Sequence, residues 1–205
     1  LDGLAAGVVG IGAAAFFVYA YLLSYEQDLV RATTASLLTV ALVGICVGFL
    51  PHNIHLARMF MGDSGSMLLG FLFSTSMISL TGQLDPSRIN PRGGALISSY
   101  LPLLLPIAAM ALPFIDLVSA YVRRTLAGRL WFQADKQHLH HRMLELGHTH
   151  RVAVALLWLW SAVIAFGVVL IGVVDAWWSS WVLPVGLVVA AALTFGTRRR
   201  GVGHA

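Results

Sequence analysis

Between two long apolar segments stands one acidic side chain, Asp63, in the stretch Phe60-Met61-Gly62-Asp63-Ser64-Gly65-Ser66. Two glycines flank it and a helix-starting pattern follows. A carboxylate in that position suits a bound divalent cation, a phosphate held through that cation, or capping of the helix behind it. Magnesium is commonly held by one or two carboxylates together with substrate phosphates and waters. A helix start adds amides and a dipole that favour phosphate, and Gly62 and Gly65 let the backbone come close. Capping needs only an Asp oxygen that accepts from an amide in the first turn. Both readings stay open on these residues alone.

Further along, Asp135-Lys136-Gln137-His138-Leu139-His140-His141-Arg142 concentrates groups that donate to phosphate. A solvated basic face, a phosphate site and a metal site are the three readings of such a run. Leu139, Met143 and Leu146 recur at the spacing of an amphipathic helix lying along a membrane surface. On that helix His138 and Arg142 share a face, His141 adjoins it and His140 points to the other flank. One regular helix therefore cannot aim all three imidazoles at one metal. Phosphate recognition by a bent loop entering the helix accommodates them better.

Three smaller signals accompany these. Asn53, in Pro51-His52-Asn53, reads as a turn residue or a polar contact. Asp2, before Gly3, reads as an N-cap of the first apolar segment or a ligand contact. Asp116 lies inside an apolar run, where a carboxylate is a functional hypothesis by default and a salt bridge to Arg123 is an equal structural account. His148 and His150 read as facing water or headgroups.

The elements that must position these groups follow from composition. The chain is 58% hydrophobic and 11% charged. Soluble domains carry roughly 25% charged residues, so the expected class is all-α, a polytopic integral membrane protein. About six spans, 4–23, 33–50, 66–80, 95–122, 152–174 and 182–195, are expected from runs that approach the ~20 residues a bilayer requires. A cytoplasmic amphipathic helix or loop joins the fourth and fifth. The third and sixth are short for a full crossing, and Pro102, Pro106 and Pro113 predict kinks in the fourth. The lone Cys46 excludes an internal disulfide.

With alternating connections, Arg31, Arg88 and Arg92 fall on one side and the other ten of the thirteen Lys and Arg on the opposite side. The positive-inside rule puts that larger group in the cytoplasm. Trp177, Trp178 and Trp181 suit the opposite interface as an aromatic anchor. The basic residues then report topology and anionic headgroups or substrates; nucleic acid is not required. Asp2, Asn53, Asp63, Asp116 and the histidine-rich segment all gather at or near one membrane face. A transporter would instead place its polar residues deep in several spans.

Taken together, these residues resemble the polyprenyl-phosphate N-acetylhexosamine-1-phosphate transferases, a family that includes phospho-MurNAc-pentapeptide translocase. Leu1-Asp2-Gly3-Leu4-Ala5-Ala6-Gly7 is similar to the second half of the family's N-x-x-DGLDGLAAG segment. Asn53, ten residues before the Asp of FMGDSGS, matches the next element. Asp116 with Arg123-Arg124 matches an acidic residue and basic stretch, and 134–142 resembles the DK/R-x-HLHHR loop. The HLHH form favours the GlcNAc-1-phosphate branch over the muramyl-pentapeptide branch.

The resemblance implies transfer of GlcNAc-1-phosphate from UDP-GlcNAc to undecaprenyl or decaprenyl phosphate at the cytoplasmic face of a bacterial inner membrane. It implies Mg²⁺, with Mn²⁺ as an alternative, held by Asp63. His138, His140 and His141 would act on the phosphates, with Lys136 and Arg142 binding substrate. Phe60 would stack the uracil, while Asp2 and Asn53 bond the nucleoside; a homodimer is compatible. It also implies a preceding half of about five spans with an adjacent Asp-Asp pair, which these 205 residues do not contain. Residues 1–205 are thus expected to be the C-terminal part of one multi-span transferase domain, with 123–151 its cytoplasmic histidine-rich loop. The other reading is a catalytically incomplete membrane subunit or remnant that packs with an intact transferase.

Overall fold

Apolar runs of this length leave a backbone in lipid no partner but itself, and the helix is the local solution. The computed structural model describes residues 2–27, 32–54, 57–82, 104, 107–108, 110–126, 143, 147–174 and 178–196. Among them six helices extend beyond one turn: α1 (Leu4–Gln27), α2 (Ala32–Asn53), α3 (Gly62–Thr81), α4 (Ala111–Leu126), α5 (His150–Val173) and α6 (Ser179–Gly196). Among the described residues there is no strand. All but α4 are long and apolar enough to cross a membrane. The protein is all-α and polytopic.

Five of the expected spans thus stand, with longer bounds. The third, expected over 66–80, begins at Gly62 and runs 20 residues, a full crossing. The sixth gains a turn at its start and reaches 18 residues. Of the fourth expected span, 95–122, residues 95–103, 105–106 and 109 lie outside the described residues. Its described part, α4, runs past residue 122 and so takes Arg123 into the helix.

The middle of the bundle is α1. It packs on α2 and α5, α2 carries α3 on its other side, and α5 carries α6. Half of the apolar stretch of α1 is buried, against 17% for α6. Its alanines explain the close approach: Ala6, Ala13, Ala15 and Ala20 are all fully shielded, and small residues let membrane helices come together. The α1–α2 register is antiparallel. Gly3 meets the end of α2 at Asn53, and seven residues on, a β-carbon at Gly10 would sit 3.1 Å from Cys46 Cβ, seven residues back. Phe16 then reaches α3 through an edge-on contact with Phe73, ring centroids 6.1 Å apart.

Between α5 and α6 the fit is reciprocal. Leu183 fills the notch left at Gly167, and Val163 fills the one at Gly186. Above that seam the Trp160 indole N–H donates to Thr194 Oγ1 at 3.1 Å. Several hydroxyls inside the spans turn back on their own helices: Thr39 donates to the Ala35 carbonyl, Thr75 to Phe71 and Ser76 to Leu72. Buried Ser161 in α5 makes no such bond among the described residues.

Candidate functional site

One end of the bundle collects the start of α1, the end of α2, the start of α3 and the start of α5. There Gly3 takes φ +76°, a left-handed conformation that glycine enters without cost. Its carbonyl accepts the first helical bond, from the Gly7 N–H at 3.0 Å. Gly3 therefore occupies the cap position, and the N-cap reading of Asp2 is set aside: Asp2 lies one residue outside, half-buried.

Asn53 is the last residue of α2 and is buried, 8% exposed. Its Oδ1 accepts from the Gly3 N–H at 2.9 Å and its Nδ2 donates to the Met59 carbonyl at 2.8 Å. The turn-residue reading is corrected accordingly. Pro51 stays within the helix, and the chain turns only after Asn53. The corner that follows is tied a second time, because the Arg58 and Met59 amides both donate to the His52 carbonyl.

That corner delivers Phe60 to the surface, 79% exposed, and then Gly62 at φ +65°. The space around Gly62 is open, whereas Gly65 makes room for the Met61 side chain bending back beneath the first turn. The two glycines thus do different work, and only Gly62 leaves the backbone open to a close approach. Asp63 is inside the first turn of α3, exposed. The residue before the helix is Met61, and no side chain caps it, so the N-cap reading of Asp63 falls. Among the described residues no donor reaches the Asp63 carboxylate; Ser66 Oγ bonds its backbone carbonyl instead.

A cavity of about 160 Å³ opens at this end between α1 and α5, lined by Asp2, Gly3, Ile54, Arg151, Val154 and Trp158 among others. Its walls are almost wholly apolar, so Asp2 and Arg151 line it with little of their polar atoms. No ion pair joins those two among the described residues. Arg151 was not among the expected site residues. Its position at a helix start beside Asp2 has no signature in the local sequence.

The expected histidine-rich site, His138, His140 and His141 with Lys136 and Arg142, lies outside the described residues. Met143, which follows Arg142 in the chain, is described. It is buried in a cluster with Ala153, Leu156 and Leu157, against which Leu4 packs. His148 is buried too, 5% exposed, with its backbone N–H donating to the Met143 carbonyl, so the expectation that it faces water or headgroups is overturned. Asp116 and Arg123 are half-buried in α4 and both are engaged. Among the described residues no three His, Cys, Asp or Glu side chains gather around a common point. Asp63 belongs to no such cluster among the described residues.

Comparison with known proteins matches residues 1–81, which hold Asp2, Asn53, Phe60 and Asp63, to glycosyl transferase family 4. A decaprenyl-phosphate N-acetylglucosaminephosphotransferase of Mycolicibacterium smegmatis is 42% identical over 195 residues, 95% of this chain and 48% of that protein. A probable undecaprenyl-phosphate N-acetylglucosaminyl 1-phosphate transferase of Bacillus subtilis is 31% identical over 183 residues, 89% of this chain and 46% of its own. A phospho-N-acetylmuramoyl-pentapeptide-transferase of Staphylococcus saprophyticus is 41% identical over 85 residues, 42% of this chain and 24% of its own. No solved structure matches. The chain spans about half the length of the first two relatives. With Gly3, Asn53 and Met59 bonded together at one end of a helical membrane bundle and this similarity along nearly its whole length, the chain belongs to glycosyl transferase family 4.

Proposed function

We propose that the protein transfers GlcNAc-1-phosphate from UDP-GlcNAc to a membrane polyprenyl phosphate, undecaprenyl or decaprenyl, releasing UMP. The observation that carries this reading is convergence. Asp2–Gly3, Asn53 and the Met59–Asp63 corner are bonded into one unit, and Met143 is buried against Leu4 at the same end. Site, lipid and nucleotide would meet at the cytoplasmic face of a bacterial plasma membrane.

In the reaction, an oxygen of the lipid phosphate forms a bond to the β-phosphorus of UDP-GlcNAc. The bond from that phosphorus to the bridging oxygen breaks, and the electron pair leaves with UMP. A phosphate monoester with a second pKa of about 6 is already mostly ionised at neutral pH, so positioning and charge neutralisation dominate. Phe60 offers its exposed ring as a stacking surface for the uracil, and Asp2 accepts from the nucleoside. His138, His140, His141, Lys136 and Arg142 would donate to the phosphate oxygens as charge moves onto the leaving group.

Asp63 fits a divalent cation. It is an exposed carboxylate that no donor occupies among the described residues, beside a glycine with open space around it. Bound there, Mg²⁺ or Mn²⁺ would neutralise the diphosphate. The decisive experiment is UMP release from UDP-GlcNAc by membranes carrying the full-length protein, with and without added polyprenyl phosphate. Lipid-dependent release of UMP supports the reading. Release of UDP, or none from well-expressed protein, refutes it.

A further inference from the structure

We infer that Asn53 is a positioning residue that holds the Asp2–Gly3 stretch and the Phe60–Asp63 corner as one unit, instead of bonding the nucleoside. This rests on the proposed phosphoglycosyl transfer for its kinetic arm only. The amides at the start of a helix have no helical partner, and Gly3 N–H is one that Asn53 Oδ1 satisfies from across the bundle. On its other edge Nδ2 donates to the Met59 carbonyl. The side chain can sit only one way round. Flipping the amide would set donor against donor at Gly3 and acceptor against acceptor at Met59.

Met59 is thereby fixed at both its backbone groups, its N–H on His52 and its carbonyl on Asn53. The next residue is the exposed Phe60, and Asp63 follows one turn of chain later. One buried amide thus sets where ring and carboxylate stand relative to Asp2. It keeps one free hydrogen and one lone pair, but its 8% exposure leaves little of either to a ligand. Its nearest isostere cannot replace it: Asp lacks the donor and would press a carboxylate oxygen on the Met59 carbonyl.

Hydrogen exchange on the substrate-free, full-length protein tests the inference without any assay of turnover. In Asn53→Ala, amides in 2–7 and 57–63 should exchange about fivefold faster, the worth of one lost hydrogen bond, while α5 keeps its protection. Asn53→Asp should speed 57–63 alone, because its oxygen can still accept from Gly3. In steady-state kinetics Asn53→Ala should lower kcat by about tenfold or more and leave KM for UDP-GlcNAc within about threefold, as misplaced groups do. Unchanged exchange with KM raised more than about tenfold would make Asn53 a substrate ligand and overturn the inference. Faster exchange throughout all helices would reduce it to a general stabiliser and overturn it equally. If the wild-type protein releases no UMP, the functional proposal fails while the exchange arm still decides this one.

Discussion

Gly7 and Trp158 share one space: a β-carbon on Gly7 would lie inside the indole ring that α5 presses onto α1. The same ring passes 3.6 Å from where a β-carbon on Gly3 would stand. Gly7→Ala should therefore destabilise the protein by about 1–3 kcal/mol, the usual cost of overpacking. Gly44→Ala is the control, since no atom lies within 4 Å of a β-carbon there, and helix propensity alone should stabilise it by about 0.5–1 kcal/mol. Thermal unfolding of the two variants in one detergent should move in opposite directions.

Asp63→Asn removes the charge and keeps the shape. Activity should fall by about 100-fold or more, as when a preorganised electrostatic contact to a phosphoryl group is lost. The melting temperature should not move, because the carboxylate is exposed and unengaged among the described residues. Near-normal, metal-dependent turnover of the variant would remove Asp63 from the mechanism.

Phe60→Ala should raise KM for UDP-GlcNAc by a factor corresponding to about 1–3 kcal/mol of lost base stacking. Phe60→Tyr should restore it. With the ring 79% exposed, stability should stay within about 0.5 kcal/mol of wild type in both. Competition by free UMP gives an independent measure of the same contact.

Chelation gives a fourth test. EDTA should abolish UMP release and excess Mg²⁺ or Mn²⁺ should restore it, with hard oxygen ligands and phosphates forming the site. Stoichiometric zinc in the purified protein, together with recovery by Zn²⁺ alone, would point instead to imidazole ligands.

The spans were legible because runs of apolar residues near 20 have few other fates. Their ends were less so. Gly62 to Ser66 is poor in helix formers, which placed the start of α3 a turn too late. Met61, folded into the notch at Gly65, shows how packing secures a first turn that propensity disfavours. Asn53 looked like a turn residue because it follows Pro51-His52, and its partners, Gly3 and Met59, include one 50 residues away that no local pattern reveals. His148 sits in a polar stretch, so its burial beside Met143 was equally hidden. Asp2, Asn53, Phe60 and Asp63 stood out in the sequence by type and spacing. That Asp2 and Arg151 line one cavity was not.

The seam between α5 and α6 has a mechanical consequence. Leu183 and Val163 each sit in a recess that only glycine leaves, at Gly167 and Gly186, so sliding one helix along the other would drive both side chains into backbone. The pair cannot piston. When the bilayer is thicker or thinner than its apolar length, it must respond as a rigid strut, leaning as a unit, and the mismatch is passed to α1 through α5.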